Sequence, residues 1–437
     1  MVVFVGEGTR GRLEGCDLSG GDAPGIWVGE GADPLLRSCM IHGGKDMGVQ
    51  FSGAGTRGRL EGCELWGNEG SAVSVEEGAD PLVAHCKIHD AASAAIFIAD
   101  VATKGQFLHN EIWGHNRAII VNQGADPTLS FNSIRDLAGE QTTAVTFGGA
   151  GTKGRLQGNT ITGPNLHSAV VVLGGADPLV AFNQICGGEF GVEIRGAGTK
   201  ALLQCNEVTG QKFCGISAQG GAELTASGNK LRGQSMSGFH LTGDGTKARL
   251  ERNEVSTVDY WGVYLSESVN AVLIGNVITG ARCAGIHAGR SLAQLEGNRL
   301  LSNGSAGVNV AEDARVTLSH NEISDTRGPG FAVCDSASAR LEGNTISGGA
   351  RDAVAINSGS IQLLLSNWIC SNLGAGVAIR GSPGTVIIPG GAIIEGNCIS
   401  RNGGAGVSII RGTPNVLVSS NKIHEGRAQV HSLFLYF

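Results

Sequence analysis

The sequence predicts an all-β solenoid, a parallel β-helix of short strands and glycine corners. Three observations predict it. A period of 22 to 24 residues runs almost from end to end, each period holds strand-like alternation with no stretch of helical length, and 71 of the 437 residues are glycine. A fixed period in this range marks a repeat architecture. Pieces this short cannot stand as strands alone and make sense only stacked on copies of themselves. The glycine content is about twice the usual share, without the triplet of collagen, as expected where corners need positive φ or close backbone approach.

The repeating unit is clearest from Gly48 to Ile88, GVQFSGAGTRGRLEGCELWGNEGSAVSVEEGADPLVAHCKI. Val49-Gln50-Phe51 leads through a glycine corner to Arg59-Leu60-Glu61, then to Cys63-Glu64-Leu65. The next turn repeats this with Val73-Ser74-Val75, Leu82-Val83 and Cys86-Lys87-Ile88. A Cys or Asn followed two residues later by a branched aliphatic anchors each turn, from Cys16, Cys39, Cys63 and Cys86 through Asn110 to Asn421. The anchors define about 18 rungs of 22–24 residues, with two longer steps of 27 and 30. Three short strands per rung account for the period. A solenoid is one domain however long it grows, so residues 1–437 are expected to form a single β-helix domain.

Both ends fall inside the repeat. Val3-Phe4-Val5 aligns with Val49-Gln50-Phe51, Ala428-Gln429-Val430 opens another rung, and Leu433–Phe437 is an apolar tail. A bare end exposes a core section and an unpaired sheet edge. The expectation is that the sequence belongs to a longer protein; the alternative is that Leu433–Phe437 folds back as a plug. The longer steps lie at Asp136–Thr142 and at Ser382–Ile394, the second able to overhang a groove. A net charge of −7 argues against nucleic acid as partner. No run of 18 apolar residues is present, so no membrane span is expected.

Six residues before each anchor the charge alternates: Arg10, Asp33, Arg57, Asp80, Lys104, Asp126, Lys153, Asp177, Lys200, Glu223, Lys247. One rung apart, each cation lies between acids on the same corner, and a one-rung slip would stack like charges. The pattern reads as register control. It also explains why Gly6-x-Gly8-x-x-Gly11, Gly53-x-Gly55-x-x-Gly58 and Gly149-x-Gly151-x-x-Gly154 match a dinucleotide-binding fingerprint. That fingerprint needs a helix after it, whereas here a strand follows and the pattern returns every second rung. The motif is a corner. The 11 cysteines are odd in number, contain no CxxC and follow no secretory signal, so reduced thiols and a cytoplasmic or nuclear location are expected. No cofactor or metal is expected.

Two outward faces carry unusual chemistry. Three residues after the anchor stand Ser19, His42, Trp66, His89, Trp113 and Arg135, beside Met40, Glu64, Lys87 and Glu111. Such a ladder can grip a sugar chain, an extended peptide or another protein, or can simply stack to support the strands. On the strand after the anchor, the central outward residues read Glu193, Ser217, His240, Tyr264, His287 and Asn309. His, Tyr and Glu clustered there can do general acid–base work on a polysaccharide; the alternative is an ordinary solvated sheet face.

The phrases GADPLLRSCMIHGGKDMGVQF, GADPLVAHCKIHD and RLEGNTISGG resemble the carbohydrate-binding and sugar-hydrolase class of right-handed, single-stranded parallel β-helix repeats, the pectin-lyase-like solenoids. They are most similar to the β-helix of F-box-only proteins, and the resemblance covers essentially the whole chain. It implies recognition of a protein substrate or adaptor for a cullin–RING ubiquitin ligase. The same fold also resembles pectate lyases, polygalacturonases and alginate epimerases, but no DPHE, no paired Asp-Asp with Gly-His-Gly and no calcium-type Asp cluster is found. The main expectation is therefore a non-catalytic scaffold that binds protein through His42, Trp66, His89, Trp113 and Arg135. The alternative is a carbohydrate-binding or polysaccharide-modifying protein using Glu193, His240, Tyr264 and His287.

Overall fold

The structure, a computed structural model, describes residues 1–139, 142–357, 360–380, 392–410 and 416–426. Among these residues there are strands and corners and no helix. Three strands make one turn, in about 18 turns, and each strand pairs in parallel with its counterpart a turn away. Register follows the repeat: Val73 pairs with Val49 in the first sheet, Val83 with Leu60 in the second and Ile88 with Leu65 in the third. The chain packs as two compact units, Met1–Lys230 and Leu231–Phe437, each the same kind of three-sheet coil. The expected overhang at residues 382–391, the rung at Ala428–Val430 and the tail Leu433–Phe437 lie outside the described residues.

Period-two alternation decides what lies inside. In the first unit Val49, Phe51, Leu60 and Leu65 are fully buried, as are Ile286, Ala288 and Leu300 in the second. Each large aliphatic or aromatic side chain so buried contributes about 1.5–3 kcal/mol, which is why three-residue strands hold. The anchors face inward at the corner between the second and third sheets. Where Asn follows Asn, the side chain accepts from the backbone N–H and the side-chain amide of the previous anchor, as Asn132 does from Asn110 at 2.9 and 3.0 Å. Cys39, Cys63 and Cys86 fill the same slot, each 1 % exposed, and the Cys39 N–H donates to Cys63 Sγ at 3.3 Å.

The glycine motif is a corner, as the repeat implies. Gly53 and Gly55 have φ of 95° and 78° and the strand Arg59–Glu61 follows. The third glycine has a separate cause: a Cβ on Gly58 would lie 2.8 Å from Phe51 Cε1, and one on Gly154 would lie 2.9 Å from Phe147 Cε1. The core phenylalanine fills that space, so the motif serves packing. The charge ladder is looser than expected. Lys200 and Glu223 pair at 3.1 Å, but among the described residues no ion pair closes between neighbours from Arg10 to Asp177 at this corner. These side chains point into water, where pairing hardly repays the rotamer freedom it removes.

Candidate functional site

The first unit places His42, Trp66, His89 and Trp113 in register at the ends of four third-sheet strands. Their rings stack with centroids 4.1, 5.9 and 4.5 Å apart and planes within 8°, and the Arg135 guanidinium caps Trp113 at 5.1 Å. The polar atoms are also engaged from within the unit. His42 Nε2 lies 3.0 Å from Asp17, His89 Nδ1 2.8 Å from Asp90, and Arg135 Nη1 2.8 Å from Asp136. The sheet thus brings all five expected residues together, but the ring faces are spent on one another and only edges meet solvent. A sugar ring needs an open aromatic face, which the interior of this stack lacks.

A second stack lies on the neighbouring corner and was not legible as one. His85, His109 and Phe131 stack at 5.1 and 5.2 Å, each with φ near +56°. The residue before the anchor adopts this left-handed conformation turn after turn, so the side chain leaves the strand alternation from which faces are read. The longer step at Asp136 leaves a small open depression of about 240 Å³ lined by Asp136, Leu137, Gly163, Pro164, Asn165 and Leu166. Its one titratable side chain is already paired with Arg135.

Glu193 corrects an expectation. Its position is outward by alternation, yet its carboxylate is only 2 % exposed. Ser168 Oγ donates to one oxygen and the Arg195 guanidinium to the other, while His167 Nε2 lies 3.8 Å away and holds Glu189 through Nδ1 at 2.7 Å. The strand neighbours close over Glu193 and satisfy it, so it is a structural carboxylate of the first unit rather than an open acid or base. Ser217, opposite it in the next strand, is likewise buried.

In the second unit, His240, Tyr264, His287 and Asn309 stand opposite one another on four adjacent first-sheet strands. His240 and Tyr264 stack at 4.9 Å, Tyr264 and His287 at 5.3 Å. Trp261, at the start of the Tyr264 strand, leans over this row, 4.6 Å from Tyr264 and 5.7 Å from His287. Tyr260 extends the aromatic wall and is half exposed. Asn309 Nδ2 donates to His287 Nδ1 at 3.0 Å, which leaves the ring proton of the neutral imidazole on Nε2. Among the described residues no group partners the buried His240 Nδ1. Burial lowers both imidazoles from their ordinary pKa, with Glu267 and Glu312 pulling weakly the other way. Two neutral imidazoles and a phenol therefore share one face. Among the described residues no three His, Cys, Asp or Glu side chains converge as a metal site requires.

A third buried imidazole, His115, sits in the first unit at a corner where Asn68 occupies an earlier turn, and burial lowers its pKa as well. For these three groups the folded value lies below the unfolded one of about 6.5. Between the two values the unfolded chain binds more protons, so stability is complete above the unfolded value and falls as pH drops through it. The melting temperature is expected to be lower at pH 5 than at pH 7.5, and His115→Asn is expected to narrow that gap. An unchanged gap in the variant would remove His115 from this account.

The chain belongs to the family described as right handed beta helix region, whose model matches residues 2–134, 168–291, 237–390 and 287–433. Among curated protein sequences none matches. Solved structures with a similar fold include the periplasmic alginate epimerase AlgG, at 11% identity over 91% of this chain and 78% of that one, with a TM-score of 0.42. The Azotobacter vinelandii mannuronan C-5 epimerase AlgE4 A-module aligns at 15% identity over 82% and 90%, TM-score 0.43. The Dettilon tailspike protein aligns at 13% identity over 72% and 62%, TM-score 0.44. At this identity the likeness is one of fold.

Proposed function

We propose that the chain is a polysaccharide-active β-helix, with the working face on the first sheet of the second unit. The observation that carries this reading is the row His240–Tyr264–His287, stacked in register beside Trp261 and Tyr260, with both imidazoles held neutral by burial. Trp261 and the half-exposed Tyr260 offer an aromatic wall for a sugar ring. A neutral imidazole takes a proton and a phenol gives one, the pair that general acid–base catalysis requires. Asn309 sets His287 as a donor through Nε2, suited to a sugar hydroxyl. Glu193 is no part of this set. The reading rests on these side chains; the fold neighbours supply no residue to it.

The test is depolymerisation or epimerisation of uronate and neutral polysaccharides, with binding measured on the same panel. Activity is expected to fall at least about 100-fold in His240→Ala and Tyr264→Phe, the scale of one lost acid or base, with binding weakened in Trp261→Ala. Neither binding nor turnover across the panel would overturn the reading. Protein recognition by the His42–Trp113 ladder is the rival, favoured by its partly exposed edges and by Met40, 41 % exposed beside it. It predicts that Trp66→Ala with Trp113→Ala abolishes partner capture in a pull-down from a folded protein. The role of receptor in a cullin–RING ligase draws on sequence resemblance alone.

A further inference from the structure

Near the end of the second unit the third sheet assembles groups that no single strand holds. Trp368, Cys398 and Lys422 stand opposite one another on three adjacent strands, and Cys370, Ser400 and His424 form the neighbouring column. Cys398 and His424 are thus diagonal neighbours, with Cys398 Sγ 3.9 Å from His424 Nε2. The other ring nitrogen lies 3.6 Å from Glu425 Oε1, and Arg401 Nε holds the second oxygen of Glu425 at 2.6 Å. Cys398 itself is half-buried, between the exposed Trp368 and the exposed Lys422.

We propose that Cys398 is a reactive thiol, with His424 as its base, that forms a mixed disulfide with an anionic low-molecular-weight disulfide. A thiol becomes a nucleophile when an adjacent imidazole takes its proton, and His424 stands in that position. The site lies on a different sheet from the His240 row and does not depend on that row's role. In the reaction Cys398 Sγ passes its proton to His424 Nε2, and the thiolate attacks one sulfur of the disulfide. A new S–S bond forms as the old one breaks. The released thiolate leaves with the electron pair and takes the proton back from the imidazolium, so Cys398 is oxidised and the departing half reduced. Glu425 faces Nδ1 and stabilises the transient imidazolium; Lys422 attracts the anionic reagent. Trp368 supplies an apolar wall.

Among the described residues Cys63, Cys186, Cys205 and Cys334 lack this combination. Among the described residues no cysteine forms a disulfide. Hydrogen bonding from Cys86 brings the Cys63 thiol down to about 7, but Cys63 is 1 % exposed and sealed between Cys39 and Cys86. Cys186 and Cys205 are exposed, with no imidazole beside them among the described residues. Burial and Asp335 push Cys334 up to about 11.

The experiment treats the folded full chain with oxidised glutathione and with dithiobis(nitrobenzoate), following release of thiolate and mapping the modified cysteine by mass spectrometry. One fast-reacting thiol is expected, mapping to Cys398 and lost in Cys398→Ser. His424→Gln is expected to slow the reaction about tenfold at pH 7. Lys422→Gln is expected to slow anionic disulfides while sparing a neutral one. A fast phase that persists in Cys398→Ser, or a His424→Gln variant as fast as the parent, overturns the proposal. Should either variant fail to fold, mapping of the parent decides, and a first-modified cysteine other than Cys398 overturns it equally.

Discussion

Asn298→Ala is expected to destabilise the second unit by about 3–5 kcal/mol, although it removes only three heavy atoms. Asn298 is fully buried. Its Oδ1 accepts from the backbone N–H and the side-chain amide of Asn276, both at 2.9 Å, and its Nδ2 donates to Leu273 O and Asn321 Oδ1, also at 2.9 Å. Alanine leaves the Asn276 N–H buried and unpaired, at about 1–3 kcal/mol, in addition to the lost bonds from Asn276 Nδ2 and to Leu273 O and Asn321 Oδ1. Asn298→Cys is expected to cost clearly less, because a thiol both accepts and weakly donates. Cys63 does so, taking the Cys39 N–H at 3.3 Å and lying 3.7 Å from Leu36 O. Urea denaturation of the three proteins checks this. An alanine variant within about 1 kcal/mol of the parent would mean that the corner relaxes around the loss.

The Asn ladder shows why so much of the fold is legible in the sequence. Once a Cys or Asn recurs every 22 to 24 residues, stacking at one strand spacing places each anchor on the last, and alternation then fixes which neighbours face in. The same arithmetic correctly joined His42 to Trp113 and His240 to Asn309. What it could not supply is the environment on a face. Glu193 and His240 occupy equivalent positions by alternation. Yet Ser168 and Arg195 close over the first, while aromatic rings flank the second. Trp261 was invisible as a site residue because it begins its strand, and it reaches the face only by leaning across to the next turn. His85, His109 and Phe131 were hidden because positive φ takes them out of the alternation. Cys398 and His424 meet on a diagonal 26 residues apart, which a column-by-column reading passes over. Charge was the least informative signal, since alternating sign along a corner does not oblige exposed side chains to meet.

Glycine shows the same limit, and it yields a contrast between two substitutions that look alike in the sequence. Gly297 sits just before an anchor with φ of +60°, and a Cβ built on it meets nothing within 4 Å. His320 and Ser366 hold the equivalent position with φ of 55° and 53°. Gly297→Ala is therefore expected to cost only the left-handed penalty, about 1–2 kcal/mol. A Cβ on Gly328 would instead fall 1.4 Å from the carbonyl oxygen of Ser305 in the turn below. No rotamer relieves this, because the obstacle is backbone. The two turns would have to part there, straining the Thr326 Oγ1 bond to Gly328 O and opening the core beneath. Gly328→Ala is expected to cost about 3 kcal/mol or more, the upper range for overpacking. Equal melting temperatures for the two variants would show that the turns can separate at no cost, contrary to close packing along the solenoid axis.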